Sequence, residues 1–341
     1  MIWVLLAVVF IVFVVLLAAV ARAGGYPAAG GCPAGPPPDT KAGGSVARKN
    51  PDTAIKWDGP ETCYPREMIA ECLRLVRGVP GFGPVSAEER AGLASATARL
   101  SRKYGVELRA GQLVSMRRME AGLAARRSGA LALRHGEAIA AANAAGEPVL
   151  SIAARYRLPP MAVLRQVLIE AGHSPRQIRD AIDDPARLPP KLAAEAPAVF
   201  EADLGSRLNA DLIRAEAQAY EGAVGAYLRA RGIVFETEDD LRKSATGQSP
   251  EPDLPLLTPD FLFREPILID GRRVAWLDAK NYPLYESKLV AASLAKQAAK
   301  YTARFGPGAM VFSGGLMCGA RVLPKSAGGA QPLLLDGSHI G

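Results

Sequence analysis

The chain opens with 21 residues that carry no charged side chain, MIWVLLAVVFIVFVVLLAAVA. At 1.5 Å of rise per helical residue such a run covers roughly 30 Å, the thickness of a bilayer core. Nothing basic precedes it, while Arg22, Lys41, Arg48 and Lys49 follow it. That asymmetry favours a body on the cytoplasmic or nucleoplasmic side of a membrane. Residues 1–22 therefore read as a transmembrane or signal-anchor segment. A cleaved signal peptide and a mis-assigned start are the competing readings, the last leaving a nuclear or cytoplasmic protein. Residues 23–60 follow as a spacer, AGGYPAAGGCPAGPPPDTKAGGS at its start, whose Gly, Pro and Ala content keeps it flexible.

From residue 61 to 200 the apolar positions recur at the helical period, in Ala/Leu/Arg runs with few strand formers. Two stretches have the rhythm of a helix–turn–helix. In EPVLSIAARYRLPPMAVLRQVLIEAG a short helix ends near Arg157, and Pro159-Pro160 break it and open the next. Val163, Leu164, Val167 and Leu168 form the apolar stripe of that second helix. Arg155, Arg157, Arg165 and Gln166 stay available for phosphate contacts. In ATARLSRKYGVELRAGQLVSMRRM the piece LSRKYGV (100–106) echoes IAARYRL (152–158). Such units dock on DNA with a helix in the major groove and arginines on phosphates, although three-helix bundles without nucleic acid pack the same way.

The last third, residues 201–341, changes period. SRLNADLIRAEAQAYEGAVGAYLRARG is one long helix with Gly232 at its C-terminal end, and IVFE follows as a strand. After the Pro-rich loop TGQSPEPDLP, the turn Asp270-Gly271 joins DFLFREPILI to RRVAWLDAKN as a hairpin. A tight turn sets Ile269 opposite Arg272 and brings Phe261 near Lys280, with Pro266 free to introduce a bulge. LVAASLAKQAAKYTARFG is a helix ended by Gly306 and Gly308, and AMVF starts another strand. The order predicts a mixed α/β sheet flanked by helices.

Charge sharpens this picture in one place. Between residues 99 and 134 nine basic side chains, Arg117, Arg118, Arg126 and Arg127 among them, oppose only Glu107 and Glu120. The segment nets +7, which is the formal charge of the whole chain. A local excess suits a polyanionic partner; a solvated helix face is the alternative. Cysteine and histidine add nothing, since Cys32, Cys63, Cys72, Cys318 and the three histidines show no zinc spacing.

The hairpin carries the candidate chemistry. Asp260 comes to lie beside Asp278 and Lys280, and the strand period sets Asp278 and Lys280 on one face with Ala279 turned away. Two carboxylates at adjacent strand ends suit a hard divalent cation such as Mg²⁺, with Mn²⁺ as a substitute. A lysine within reach orients or deprotonates a water and offsets developing negative charge. Glu221, beside Gly222, Ala223 and Gly225, is the acid on the preceding helix that lies closest to the sheet; Glu216 competes for that place.

Pro259-Asp260 followed by Asp278-Ala279-Lys280 resembles the signature of the PD-(D/E)xK nuclease superfamily. LTPDFLF, PILIDGRRVAWLDAK, KQAAKYTARFGPG and LPPKLAAEA resemble its TPD-motif branch, the codanin-interacting nuclease family, over about residues 60–338. The resemblance implies a restriction-endonuclease-like or Holliday-junction-resolvase-like domain behind a helix–turn–helix region. It implies Glu221, Asp260 and Asp278 as metal ligands, Lys280 as the catalytic lysine, and Gln297 with Tyr301 as the family's Gln-x-x-x-Tyr. DNA or structured nucleic acid is then the expected substrate, and a codanin-like protein an expected partner. The apolar N-terminus, the long loop before Thr258 and Asp278 in place of glutamate depart from the pattern. The competing function is a membrane-tethered scaffold with an idle site.

Overall fold

The computed structural model describes residues 53–59, 64–246, 257–317 and 331–340. The expected membrane anchor, most of the spacer and residues 247–256 of the Pro-rich loop lie outside the described residues. Among those described, no helix is long and apolar enough to cross a membrane.

The helical region forms two packed groups. The first comprises α1 (Arg66–Gly78), α2 (Ala87–Tyr104) and α3 (Ala110–Arg134). Ser86 and Glu89 close a reciprocal capping box at the start of α2, satisfying amides that its first turn leaves open. Met68, Cys72, Leu93, Leu100, Leu113 and Met116 make its core, together with Tyr285 and Met317 from the last third of the chain. The first group is therefore welded to the sheet domain by shared apolar packing. The second comprises α4 (Gly136–Ala144), α5 (Val149–Tyr156), α6 (Pro160–Glu170), α7 (Pro175–Asp183) and α8 (Pro190–Glu201) around Ile139, Ile152, Leu164, Leu168, Leu192 and Val199.

The sequence echo is also a structural one. Leu100 and Ile152 are both fully buried, and Gly105 and Arg157 both turn the chain in the left-handed region, at φ 65° and 53°. Lys103 and Arg155 lie over the rings of Tyr104 and Tyr156, at 4.9 and 5.0 Å. α6 buries Met161, Val163, Leu164, Gln166, Val167 and Leu168 and packs against α3, α4, α5, α7 and α8. Its exposed face is confined to Arg165, Ile169 and Glu170, so Gln166 is withdrawn from any surface contact.

The sheet runs β1 (Ala54–Ile55), β3 (Phe261–Ile269), β4 (Arg272–Lys280), β5 (Gly308–Phe312), β6 (Leu333–Asp336), with β2 (Glu236–Thr237) also paired to β3. β3 and β4 are antiparallel, whereas β4, β5 and β6 are parallel. The spacer ends earlier than residue 60: Ala54 and Ile55 pair with Leu268 and Ile269, because the outer edge of β3 needs backbone partners. β1, β6 and the helix α10 (Glu238–Thr246) are elements that the periodicity missed. Each is too short or too polar to show an apolar repeat.

Helices cover both faces. α9 (Arg207–Ala230) sets Tyr220, Val224 and Leu228 against Phe261, Ile267, Val274, Leu277 and Val311. Its Gly225 is the close approach, since an added Cβ would stand 3.3 Å from the Phe261 ring. On the other face α11 (Lys288–Phe305) packs Leu294, Ala298 and Tyr301 against Trp276, Met310 and Phe312. Gly308 is obligatory there, because an added Cβ would sit 2.0 Å from the Trp276 indole.

Candidate active site

A break in register builds the site. The turn Asp270-Gly271 has positive φ at both residues, 49° and 74°, and sets Ile269 opposite Arg272. Such a turn matches the natural twist of paired strands. The ladder then shifts between Leu262 and Ile267, so that Phe261 pairs with Leu277 rather than lying near Lys280. Pro266, which cannot donate to the ladder, stands inside the irregular stretch. The shift brings Asp260 level with Asp278. Asp260 Oδ2 accepts the Ala279 amide at 2.6 Å.

The shell around the pair is made by four elements. Asp278, 2% exposed, ion-pairs through Oδ2 with Lys280 Nζ and accepts from Gln297 Nε2 at Oδ1, 3.3 Å away. Gln297 also donates to the Tyr301 hydroxyl at 3.3 Å, and that hydroxyl donates to the Thr258 carbonyl at 3.0 Å. The Thr258 hydroxyl donates to Glu238 at the start of α10, at 2.9 Å. Thr258 thus pins two helices to the strand while Asp260 faces the acids. Ala279 packs into the α9-side core, as the strand period requires.

Burial and crowded charge define the electrostatics. Burial, then the neighbouring Asp278, pushes the Asp260 carboxyl up to about 8. Burial also raises Asp278, against the pull of Lys280. Glu221 is raised by burial, then by Glu238 and Asp278. Burial alone would lower Lys280, but Asp278 reverses it and holds the ammonium protonated. Glu238 is the functional candidate that the sequence reading missed; the acidic run ETEDD, which begins with the two β2 residues, was its signal.

Beside Lys280 opens a cavity of about 520 Å³, walled by Ser115, Arg118, Met119 and Gly122 of α3, by Ile213 and Ala217 of α9, and by Asn281 and Tyr282. Burial raises the Tyr282 hydroxyl, and Lys280 and, more weakly, Arg126 oppose that rise from within electrostatic reach.

Residues 189–321 match the TPD sequence-motif family, described as a protein of unknown function. Thr258-Pro259-Asp260 and Asp278-Ala279-Lys280 both fall inside that range, which is narrower than the resemblance read from the sequence. An uncharacterized protein of Acanthamoeba polyphaga mimivirus, L539, is 35% identical over 136 residues, 39% of this chain and 44% of that protein. The chain thus spans less than half the length of that relative. No solved structure matches.

Within the TPD stretch the expected site residues meet in part. Asp260, Asp278, Lys280 and Gln297 are joined by the contacts above, and Glu221 lies within electrostatic reach. Glu216 does not compete, because it pairs with Arg118. Among the described residues no three His, Cys, Asp or Glu side chains gather closely; Asp260 and Asp278 form the near pair, and Glu221 lies within electrostatic reach of both. Glu221 comes from the helix over the Ala279 face, whereas Asp278 turns to α11. The pair itself fits a cation. Asp278 Oδ2 is buried with no aligned hydrogen bond, only the ammonium beside it. Two crowded carboxylates also gain most from a divalent charge.

The arginines separate sharply. Arg117 is 3% exposed and donates to the Pro80 and Gly81 carbonyls, at 2.9 and 2.7 Å, so it holds a loop and cannot reach a nucleic acid. Arg155 pairs with Glu147 at 2.9 Å. Arg118 faces the cavity, and Arg126, Arg127 and Arg165 are exposed. Gln166 is buried and bonded to Glu170.

Proposed function

We propose that the protein is a metal-dependent nuclease of the PD-(D/E)xK kind, hydrolysing phosphodiester bonds of DNA or structured nucleic acid. The reading rests on one observation above the others: a three-residue slip in the hairpin ladder sets Asp260 level with Asp278, whose ion-pair partner Lys280 lines a cavity. A solvated pair of edge residues has no use for a buried Asp278 and a half-buried Asp260 whose ionisation the fold opposes.

Asp260 and Asp278 would hold Mg²⁺ or Mn²⁺, with Glu221 near enough to add charge. Such an ion, when bound, neutralises a phosphate oxygen and acidifies a water. The chain's own groups do the rest. The Ala279 amide fixes the Asp260 carboxylate, and Gln297 fixes that of Asp278, so both are oriented before substrate arrives. Lys280 stays an ammonium under Asp278's influence, and its part is to offset charge growing on the phosphate. Arg118 and Arg126 supply positive charge near the cavity.

Full-length protein incubated with single-stranded, duplex and branched oligonucleotides should cleave at least one class with Mg²⁺ and none with EDTA. Asp278→Asn should abolish that cleavage with its circular dichroism unchanged. Metal-independent cleavage, or cleavage retained in the variant, removes the reading.

A further inference from the structure

We propose that a second cavity, adjoining the catalytic one, is a subsite that grips a phosphate of the nucleic acid away from the bond being cut. It rests on the nuclease reading for the identity of its ligand. The cavity measures about 420 Å³ and draws its walls from Arg90, Arg109, Arg118, Gln112, Asn281 and Ser313. Three guanidinium groups from two helices and a helix cap face a single carboxylate, Glu216, also in the wall. That surplus calls for an anion, and planar forks suit the paired oxygens of phosphate.

Two further features point the same way. α3 begins in this cavity: its first turn contains no acidic residue, and Gly111 lines the wall. The open amides and positive end of a helix attract phosphate. The arginines also divide the work. Arg109 is held by the Ser338 carbonyl and Arg118 by Glu216. Arg90, exposed, has a side chain that makes no hydrogen bond or ion pair among the described residues. A site with two fixed forks and one spare can close on its ligand.

The position gives this grip a purpose. Ser115, Arg118 and Asn281 line both cavities, and Asn281 directly follows Lys280 in the chain. The Ser313 amide donates to the Lys280 carbonyl at 2.9 Å, and its hydroxyl to Asn281 at 3.0 Å. One rigid floor therefore carries both sites. A strand held at one phosphate there is registered for cutting at another.

The test uses two variants that spare the catalytic groups. At Gly111 an added Cβ would meet nothing within 4 Å, and a carboxylate in a first helical turn favours the fold. Gly111→Asp should therefore melt no lower than the wild type while repelling phosphate; Arg90→Glu removes the spare fork. Fluorescence anisotropy with a labelled duplex oligonucleotide, in EDTA, gives affinity across a salt series. Each variant should bind about tenfold more weakly, and losing one phosphate contact should lower the log–log slope by about 0.9. A second arm compares melting in inorganic phosphate and in chloride at matched ionic strength. If inorganic phosphate alone binds and oligonucleotide affinity ignores both variants, the cavity holds a free ion and the proposal fails. Unchanged affinity and slope with Mg²⁺-dependent cleavage intact overturns the subsite and leaves the nuclease reading standing. Variant-sensitive binding by a protein that never cleaves keeps the subsite and removes that reading.

Discussion

Replacing Asp260 with asparagine should stabilise the metal-free protein while abolishing its activity. Asparagine keeps the size of the side chain and an oxygen that can accept the Ala279 amide, so the perturbation is the loss of one half-buried charge. The folded carboxyl titrates near 8, against about 3.9 for an ordinary aspartate. The folded state therefore binds the proton more tightly than the unfolded state. Its contribution to stability is complete below about pH 4 and is lost as pH rises towards 8. Four units at about 1.36 kcal/mol each set an upper limit near 5 kcal/mol. The limit is upper because Asp260 and Asp278 titrate as a pair across that range. At roughly 2 °C per kcal/mol for a body of this size, even ~2 kcal/mol gives a readable shift of ~4 °C. Melting curves in EDTA from pH 5 to 9 should show the wild type losing stability with rising pH, and the variant losing less. Mg²⁺ should then raise the melting temperature of the wild type and leave the variant nearly unmoved. A variant that melts below the wild type at pH 8 without metal, or that gains equally from Mg²⁺, refutes the reasoning.

Lys280→Ala should lower single-turnover cleavage by about 10²–10³-fold. It should also lower stability by up to ~3–5 kcal/mol, because Asp278 loses the partner of a buried ion pair; Lys280→Arg should restore stability better than rate, and alanine with full activity rejects the role. Arg117→Ala should destabilise by about 1–3 kcal/mol, because it empties a buried site and frees the loop it ties at Pro80 and Gly81, whereas Arg126→Ala plus Arg127→Ala should leave melting unchanged and weaken duplex binding. The opposite ranking in urea melts and anisotropy would reverse the division of the arginines. Residues 1–45 fused to a reporter should hold it in carbonate-resistant membranes with the reporter on the cytoplasmic side; a shortened soluble product indicates a cleaved signal instead.

Local pattern alone determined a good deal here. The break at Pro159-Pro160, the helix up to Gly232, the tight turn at Asp270-Gly271 and the face shared by Asp278 and Lys280 all follow from short-range sterics and periodicity. Such features need no distant partner to declare themselves. Tertiary structure decided what lay beyond them. Arg117 looks like its neighbour Arg118 in sequence, yet burial turns one towards Pro80 and Gly81 and leaves the other facing a cavity. Arg165 and Gln166 are adjacent polar positions of α6, and only its packing against five helices buries Gln166 and leaves Arg165 exposed. Ala54 and Ile55 become a strand because β3 offers an open edge more than two hundred residues later in the chain. The alignment of Asp260 with Asp278 depends on how far a bulge slips, and no periodicity encodes that distance. Packing on both faces of the sheet holds it, with Phe261 and Leu277 buried under α9 and Trp276 under α11.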